Sequence, residues 1–150
     1  TYDTRIRDSF EIATANGLEY IFKTNEEDTD IYPNTVDIAM TNDQGQTMTI
    51  RGESLGGGKV RIVRINKVKV DFTGEYSAAI VIHQDKPGVV AHITKCLSDD
   101  GVNIAFMRLF REAKGHIAYT IVESDDALPS DLSAMLKENP NVHDVMIVQK

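Results

Sequence analysis

The groups best placed to do chemistry gather at one turn. His83 and Asp85 stand just before Pro87-Gly88, and Val89, Val90, Ile93 and Leu97 follow at the spacing of one apolar stripe on a helix. Pro87 fixes φ and needs no N–H, which suits a tight helix entry, and Gly88 lets backbone come close to a neighbour or ligand. A helix that opens here presents unpaired amide N–H groups, which suit an anionic group such as a carboxylate. On their own, His83 and Asp85 read equally well as a surface histidine and a turn aspartate. Other reactive side chains do not assemble. His92 and His116 lack the spacing of a metal site, and His92 falls on the face expected to be exposed. Cys96, the single cysteine, reads as a small buried hydrophobe. Ser54 lies beside a glycine run, but neither a base nor an orienting group can be named for it. The chain by itself therefore offers no catalytic constellation.

The elements that position this turn read clearly. Ala78–Gln84 has strand composition, Gly88–Ser98 is the helix, and Gly101 is free to end it in the left-handed conformation. Asn103–Arg111 alternates as a strand, Ala113-Lys114-Gly115 is a turn, and His116–Glu123 is a third strand with Ile117, Tyr119 and Ile121 on one side. Pro129–Glu138 reads as a helix capped by Ser130 or the preceding loop, with Leu132, Met135 and Leu136 as its stripe, and Val142–Val148 is the last strand. A single helix layer covers one sheet face, so the other face and the sheet edges are expected to favour pairing with another copy.

The strand, the Asp-Lys-Pro-Gly turn, the helix and Gly101-Val-Asn-Ile after it resemble an ACT domain, the βαββαβ module that regulates amino-acid enzymes. The resemblance implies an effector held between two copies by His83, Asp85 and Asn103 with the N–H groups of Gly88, Val89 and Val90. The amides would take the effector's carboxylate, and Asp85 or the Asn103 amide oxygen its ammonium.

The first half begins with apolar residues at near-helical spacing from Arg5 to Ala15, stopped at Asn16-Gly17. Leu18–Lys23 alternates as a strand, and residues 25–34 form an acidic, solvated loop. Val36–Met40 and Thr47–Gly52 flank a hairpin signal at Asn42–Gly45; Val60–Ile65 and Val68–Phe72 flank a turn at Asn66-Lys67. Three glycines, Gly56, Gly57 and Gly58, imply close approach of a ligand or another chain, a conformation closed to residues with a Cβ, or a plain flexible turn. They are not a phosphate-binding loop, which needs different spacing and a helix after it.

Pro33-Asn34-Thr35, the hairpin and Ser54-Leu55-Gly56-Gly57-Gly58-Lys59, followed by an ACT-like module, resemble the β chains of bacterial iron–sulfur L-serine dehydratases, and the opening residues fit the same family. The resemblance implies that Asn34, Ser54 and Gly56–Gly58 form a subunit-contact or substrate-domain loop. Two departures stand out: the family's Ser-Ser-Ser-His-Thr motif is absent, and Tyr32 occupies a place where the family tends to have histidine.

The reading is an α+β chain in two parts. Residues 1–74 form a partial αβ domain of the allosteric-substrate-binding type, and 75–150 a βαββαβ, ferredoxin-like ACT-like domain. The implied function is that of a β subunit that regulates and assembles an L-serine ammonia-lyase, converting L-serine to pyruvate and ammonia. The implied cofactor is a [4Fe–4S] cluster acting as Lewis acid on the serine hydroxyl. It would be ligated by a cysteine-bearing catalytic α subunit, since one cysteine cannot hold it. Homodimerisation through the ACT-like domain and binding of L-serine are expected. A net charge of −7 argues against nucleic-acid binding, no apolar run approaches a membrane span, and no signal peptide is read, so the cytoplasm is expected. The missing initiator methionine and the start almost on a helix fit a piece of a longer chain. The alternatives are a regulatory module of another enzyme, such as a D-3-phosphoglycerate dehydrogenase, and a non-enzymatic ligand-binding or dimerisation module.

Overall fold

A computed structural model describes residues 3–149 apart from 27 and 29. Those two positions of the acidic stretch, with Thr1, Tyr2 and Lys150, lie outside the described residues. The chain divides into two compact units, Thr1–Ile31 and Tyr32–Lys150.

In the first unit the expected single helix has two parts. A 3-10 turn at Thr4–Asp8 is capped by the Asp3 carboxylate, which accepts from the Arg5 N–H at 3.0 Å, and it leads into α1 (Ser9–Ala15). The expected strand at Leu18–Lys23 does not form. A strand needs a neighbour's backbone, and the described residues of this unit include no second strand. The alternating side chains gather their rings instead: Phe10 stacks on Tyr20 at 5.2 Å and meets Phe22 edge-on at 5.6 Å.

The second unit holds both sheets. β1 (Thr35–Thr41), β2 (Thr47–Gly56), β3 (Lys59–Ile65) and β4 (Val68–Phe72) form an antiparallel meander in sequence order. Asn42 closes the first hairpin: its side-chain oxygen accepts from the N–H groups of Gln44 and Gln46. The third hairpin turns on Asn66, at φ +51° in the left-handed region, where a short polar side chain is tolerated. Period-two alternation puts Val68, Val70 and Phe72 on one face and Lys69 and Asp71 on the other, and only the first set is buried.

β5 (Ser77–Gln84), α2 (Val89–Asp99), β6 (Phe106–Arg111), β7 (Ile117–Ser124), α3 (Leu132–Lys137) and β8 (Val142–Val148) follow, with sheet order β6-β7-β5-β8. This is the ferredoxin-like βαββαβ arrangement expected from the sequence. β6 starts three residues later than its alternation suggested. Asn103 is held outside the ladder by the Ser124 hydroxyl, which donates to its carbonyl at 2.7 Å. α3 is also shorter than expected, and no side chain caps it. On the inner face Ala79, Val81 and Val122 pack against Val89, Ile93, Cys96 and Leu97 of α2 and Leu132 and Leu136 of α3.

The other sheet face is not open, which corrects the expectation that it awaits another copy. Ile65, Val68, Val70 and Phe72 of the preceding meander pack on Ile80, Tyr119 and Ile121 and bury them. Polar contacts fix this layer. Asn66 donates to the Tyr119 hydroxyl at 3.0 Å, and its amide oxygen accepts from the Thr49 N–H at 3.0 Å. Arg108 donates to the buried Glu123 carboxylate at 2.9 Å and to the Asp71 carbonyl of β4 at 3.0 Å.

Burial pushes the Glu123 carboxyl above its usual range, while Arg108 pulls it back. A raised folded value means that the folded state holds this proton more tightly than the unfolded chain. The contribution of Glu123 is therefore most favourable below its usual value of about 4.5 and declines as pH rises through the folded value. Glu123→Gln should flatten that decline, so urea stability measured from about pH 4.5 upwards should vary less with pH than in the parent. Superimposable pH profiles would contradict this.

Candidate functional site

The turn between β5 and α2 is anchored from both sides. The Gln84 N–H donates to the Asn141 carbonyl at 2.8 Å, and the Asp85 N–H to the His116 carbonyl at 2.7 Å. The Gln84 side chain donates to the Gly115 carbonyl. Gly88 then takes φ +89° as the residue that opens α2, and no side chain caps the first-turn amides. A Cβ at Gly88 would meet nothing within 4 Å, so the backbone angle alone requires glycine.

His83 is not at the surface. It is 1% exposed, on the helix-facing side of β5. Nδ1–H donates to the Gln84 carbonyl at 2.8 Å, and Nε2 pairs with the Thr120 hydroxyl, also at 2.8 Å. Asp85 is engaged too: one carboxylate oxygen accepts from Arg111 at 2.9 Å and from the Gly115 N–H at 3.0 Å. The Gly115 amide and the Arg111 guanidinium hold its carboxyl below the usual carboxylate range. Asp85 therefore joins the turn to the β6–β7 loop.

Val89 is buried in the core and Val90 half-buried, so both serve the turn through backbone rather than side chain. Asn103 is exposed and lines a cavity of about 430 Å³ with Thr94, Ser98 and Gly101. It lies beyond the opposite end of α2. Eleven helical residues at 1.5 Å rise separate it from Gly88 by roughly 16 Å. One copy thus brings together His83, Asp85 and Gly88 but not Asn103.

The other predicted group does assemble. The Ser54 N–H donates to the Asn34 carbonyl at 2.8 Å, and Thr35 pairs with Glu53. Gly56, Gly57 and Gly58 have φ of +85°, +62° and +79°, and a Cβ at any of them meets nothing within 4 Å. The positive φ of all three fits a conformation closed to residues with a Cβ.

His92 is half-buried rather than exposed. Its Nε2–H donates to the last-turn carbonyls of α3, at 3.3 Å to Met135 and 3.2 Å to Leu136. Cys96 is buried, and burial pushes its thiol up, away from the thiolate that ligates metal or attacks carbon. The cysteine thiolates that hold a [4Fe–4S] cluster are thus not supplied here, and no group of three His, Cys, Asp or Glu converges among the described residues. The described residues do not offer a ligand set for the cluster.

Sequence reading missed Thr120, Arg111 and the Arg108–Glu123 pair. The pair left a signal: Glu123 follows Ile117, Tyr119 and Ile121 on the same face, and an acid at the next place of an apolar face needs a partner on the adjacent strand.

Residues 80–147 match the model of the AHAS small subunit-like ACT domain. They form an ACT-like domain. About nine-tenths of the chain is similar to two L-serine dehydratase β chains. The probable β chain of Bacillus subtilis is 30% identical over 142 residues, 95% of this chain and 64% of that one. The β chain of Peptoniphilus asaccharolyticus is 32% identical over 134 residues, 89% and 60% of the respective chains. A D-3-phosphoglycerate dehydrogenase of Methanocaldococcus jannaschii is 30% identical over 117 residues, 78% of this chain and 22% of that enzyme. The chain spans about three-fifths of the length of the β chains it matches. The resemblance carried by Ser54–Gly58 and the Asp-Lys-Pro-Gly turn thus holds for about nine-tenths of the chain. Among the described residues, no helix is long and apolar enough to cross a membrane.

Gly88→Ala should cost about 1–2 kcal/mol in urea unfolding, the penalty for a left-handed residue with a Cβ. A loss well below that would mean that the turn relaxes to negative φ and that its geometry is not fixed by the anchors on either side.

Proposed function

We propose that this chain is the β chain, or part of one, of an L-serine dehydratase, contributing regulation and assembly rather than catalysis. The observation that carries the reading is similarity to proteins of that name along about nine-tenths of the chain. The phosphoglycerate dehydrogenase alternative matches at 28–30% identity over 117 and 138 residues, but these make up only about a quarter of each enzyme or less. The partner is a catalytic α chain that supplies the cysteines for a [4Fe–4S] cluster, and the complex works in the cytoplasm.

The ACT-like domain binds an amino acid between two copies. Because Gly88 and Asn103 sit at opposite ends of α2, an effector that touches both needs the turn of one copy and Asn103 of another. With the outer sheet face already covered, pairing falls to the sheet edges, β6 or β8. The arrangement supports this chemistry: uncapped amides suit a carboxylate, and the Asn103 amide oxygen accepts from an ammonium.

The test is isolation of the tagged full-length protein from its own cell extract without oxygen, followed by an assay for pyruvate released from L-serine. The expected eluate contains a second, cysteine-bearing chain, releases pyruvate and loses activity in air. An eluate with no lyase activity and no second chain would overturn the reading.

A further inference from the structure

The registers of the meander trace one apolar face from the shared core to an open edge. Directly paired residues share a sheet face, so Ile38, Ile50, Ile65 and Val68 form one row across β1, β2, β3 and β4. Exposure falls along it: Ile38 is 49% exposed, Ile50 is half-buried, and Ile65 and Val68 are buried. The ACT-like sheet covers the β3–β4 end of the row and leaves the β1–β2 end bare. Val36 and Met40 flank Ile38 on the same side of β1, and both are exposed. No charged side chain interrupts this part of the face, because Val36, Ile38 and Met40 stand opposite Gly52, Ile50 and Met48. On the other face the charges pair within the chain: Asp37 accepts from Arg51 at 2.7 Å and from Arg64 at 3.2 Å, and Glu53 accepts from Arg61 at 2.7 Å. β1 is also an unguarded edge. It carries neither Pro nor Lys, its register with β2 has no bulge, and its outer side has no strand partner among the described residues. Natural edges are blunted by such devices or covered, and a contiguous bare apolar patch marks an interaction surface.

We propose that the β1–β2 half of this face is where the catalytic α chain docks, through an apolar, uncharged surface that extends the layer begun by the ACT-like sheet. The identity of the partner rests on the dehydratase reading; the surface does not. Continuity with the inner core sets the chemistry that fits, since the covered half of the same face is filled by apolar side chains alone. A second copy is the poorer occupant of this edge. Antiparallel pairing of two like edges puts the two-fold axis perpendicular to the sheet. The two sheets lie face to face, so an axis at β1 and an axis at an edge of the ACT-like sheet run nearly parallel. Two such axes do not close and generate an open ribbon. A closed complex that pairs copies at an ACT-like edge therefore gives β1 to a different chain.

The test isolates the tagged full-length protein from its own cell extract without oxygen as parent, Ile38→Glu and Thr41→Glu. Thr41 is exposed on the same strand but on the opposite face. A carboxylate carried into a dry apolar contact is costly, so Ile38→Glu should lower the recovered cysteine-bearing chain and pyruvate formation by about tenfold or more. Thr41→Glu should keep both. Ile38→Thr, which retains a branched side chain suited to a strand, should give a smaller loss in the same direction and reads the surface even if the Glu variant folds poorly. Sedimentation of the tagged chain freed of its partner should give the parent size for every variant. A folded Ile38→Glu protein that retains the cysteine-bearing chain and its activity would overturn the docking site. If it retains them and sediments as a smaller oligomer, the face belongs to a second copy and the proposal also falls. A parent with no lyase activity sinks the dehydratase reading and this occupant together, whereas an active parent with an unaffected variant sinks the docking site alone.

Discussion

The packing of β3 and β4 on the outer face of the ACT-like sheet is the interaction on which the rest of this structure depends. A βαββαβ unit buries only one face with its helices. Here Ile65, Val68, Val70 and Phe72 supply the missing layer, and Ile80, Tyr119 and Ile121 become interior residues. Burial of a large apolar side chain contributes about 1.5–3 kcal/mol, so a layer of seven such residues is a large fraction of the stability of any small domain. The meander is therefore part of the body that holds the β5–α2 turn in shape.

That layer also explains where charge is tolerated. Glu123 is buried at its margin, and Arg108 reaches both this carboxylate and the Asp71 carbonyl of the covering strand. Removing one partner of such a pair strands the other, so the pair specifies which strand lies where. On the opposite face His83 plays a quieter part. Its two hydrogen bonds and the Asp85–Arg111–Gly115 contacts fix the end of β5 before Gly88 turns the chain. The residues with the look of ligand-binding side chains thus spend much of their hydrogen-bonding capacity on the turn itself, while no side chain caps the first-turn amides of α2.

Much of the fold was legible because periodicity is local. Val68, Val70 and Phe72 alternate, Val89, Ile93 and Leu97 recur at helical spacing, and Pro87-Gly88 and Gly101 punctuate them. Leu18–Lys23 alternates equally well and forms no strand, because pairing depends on a neighbour that the pattern cannot supply. The burial of His83 was hidden for the same reason: Thr120 is 37 residues away, and only the β5–β7 register brings them together. The site was half legible. Gly88 and the glycine run were singled out, and all four glycines take positive φ. The engagement of Asp85 by Arg111, and the distance from Gly88 to Asn103, follow from tertiary geometry alone. The cover on the outer sheet face was missed because the amphipathic meander was read as the sheet of a separate domain.

The most direct test of this account is native-state hydrogen exchange, resolved by peptide, across a series of urea concentrations. If the two sheets share one core, amides of β3 and β4 should open together with those of β5 and β7, with the same free energy and urea dependence. If β3 and β4 exchange through a low-energy opening while β5 and β7 stay protected, the meander is a dispensable cover and the central claim fails.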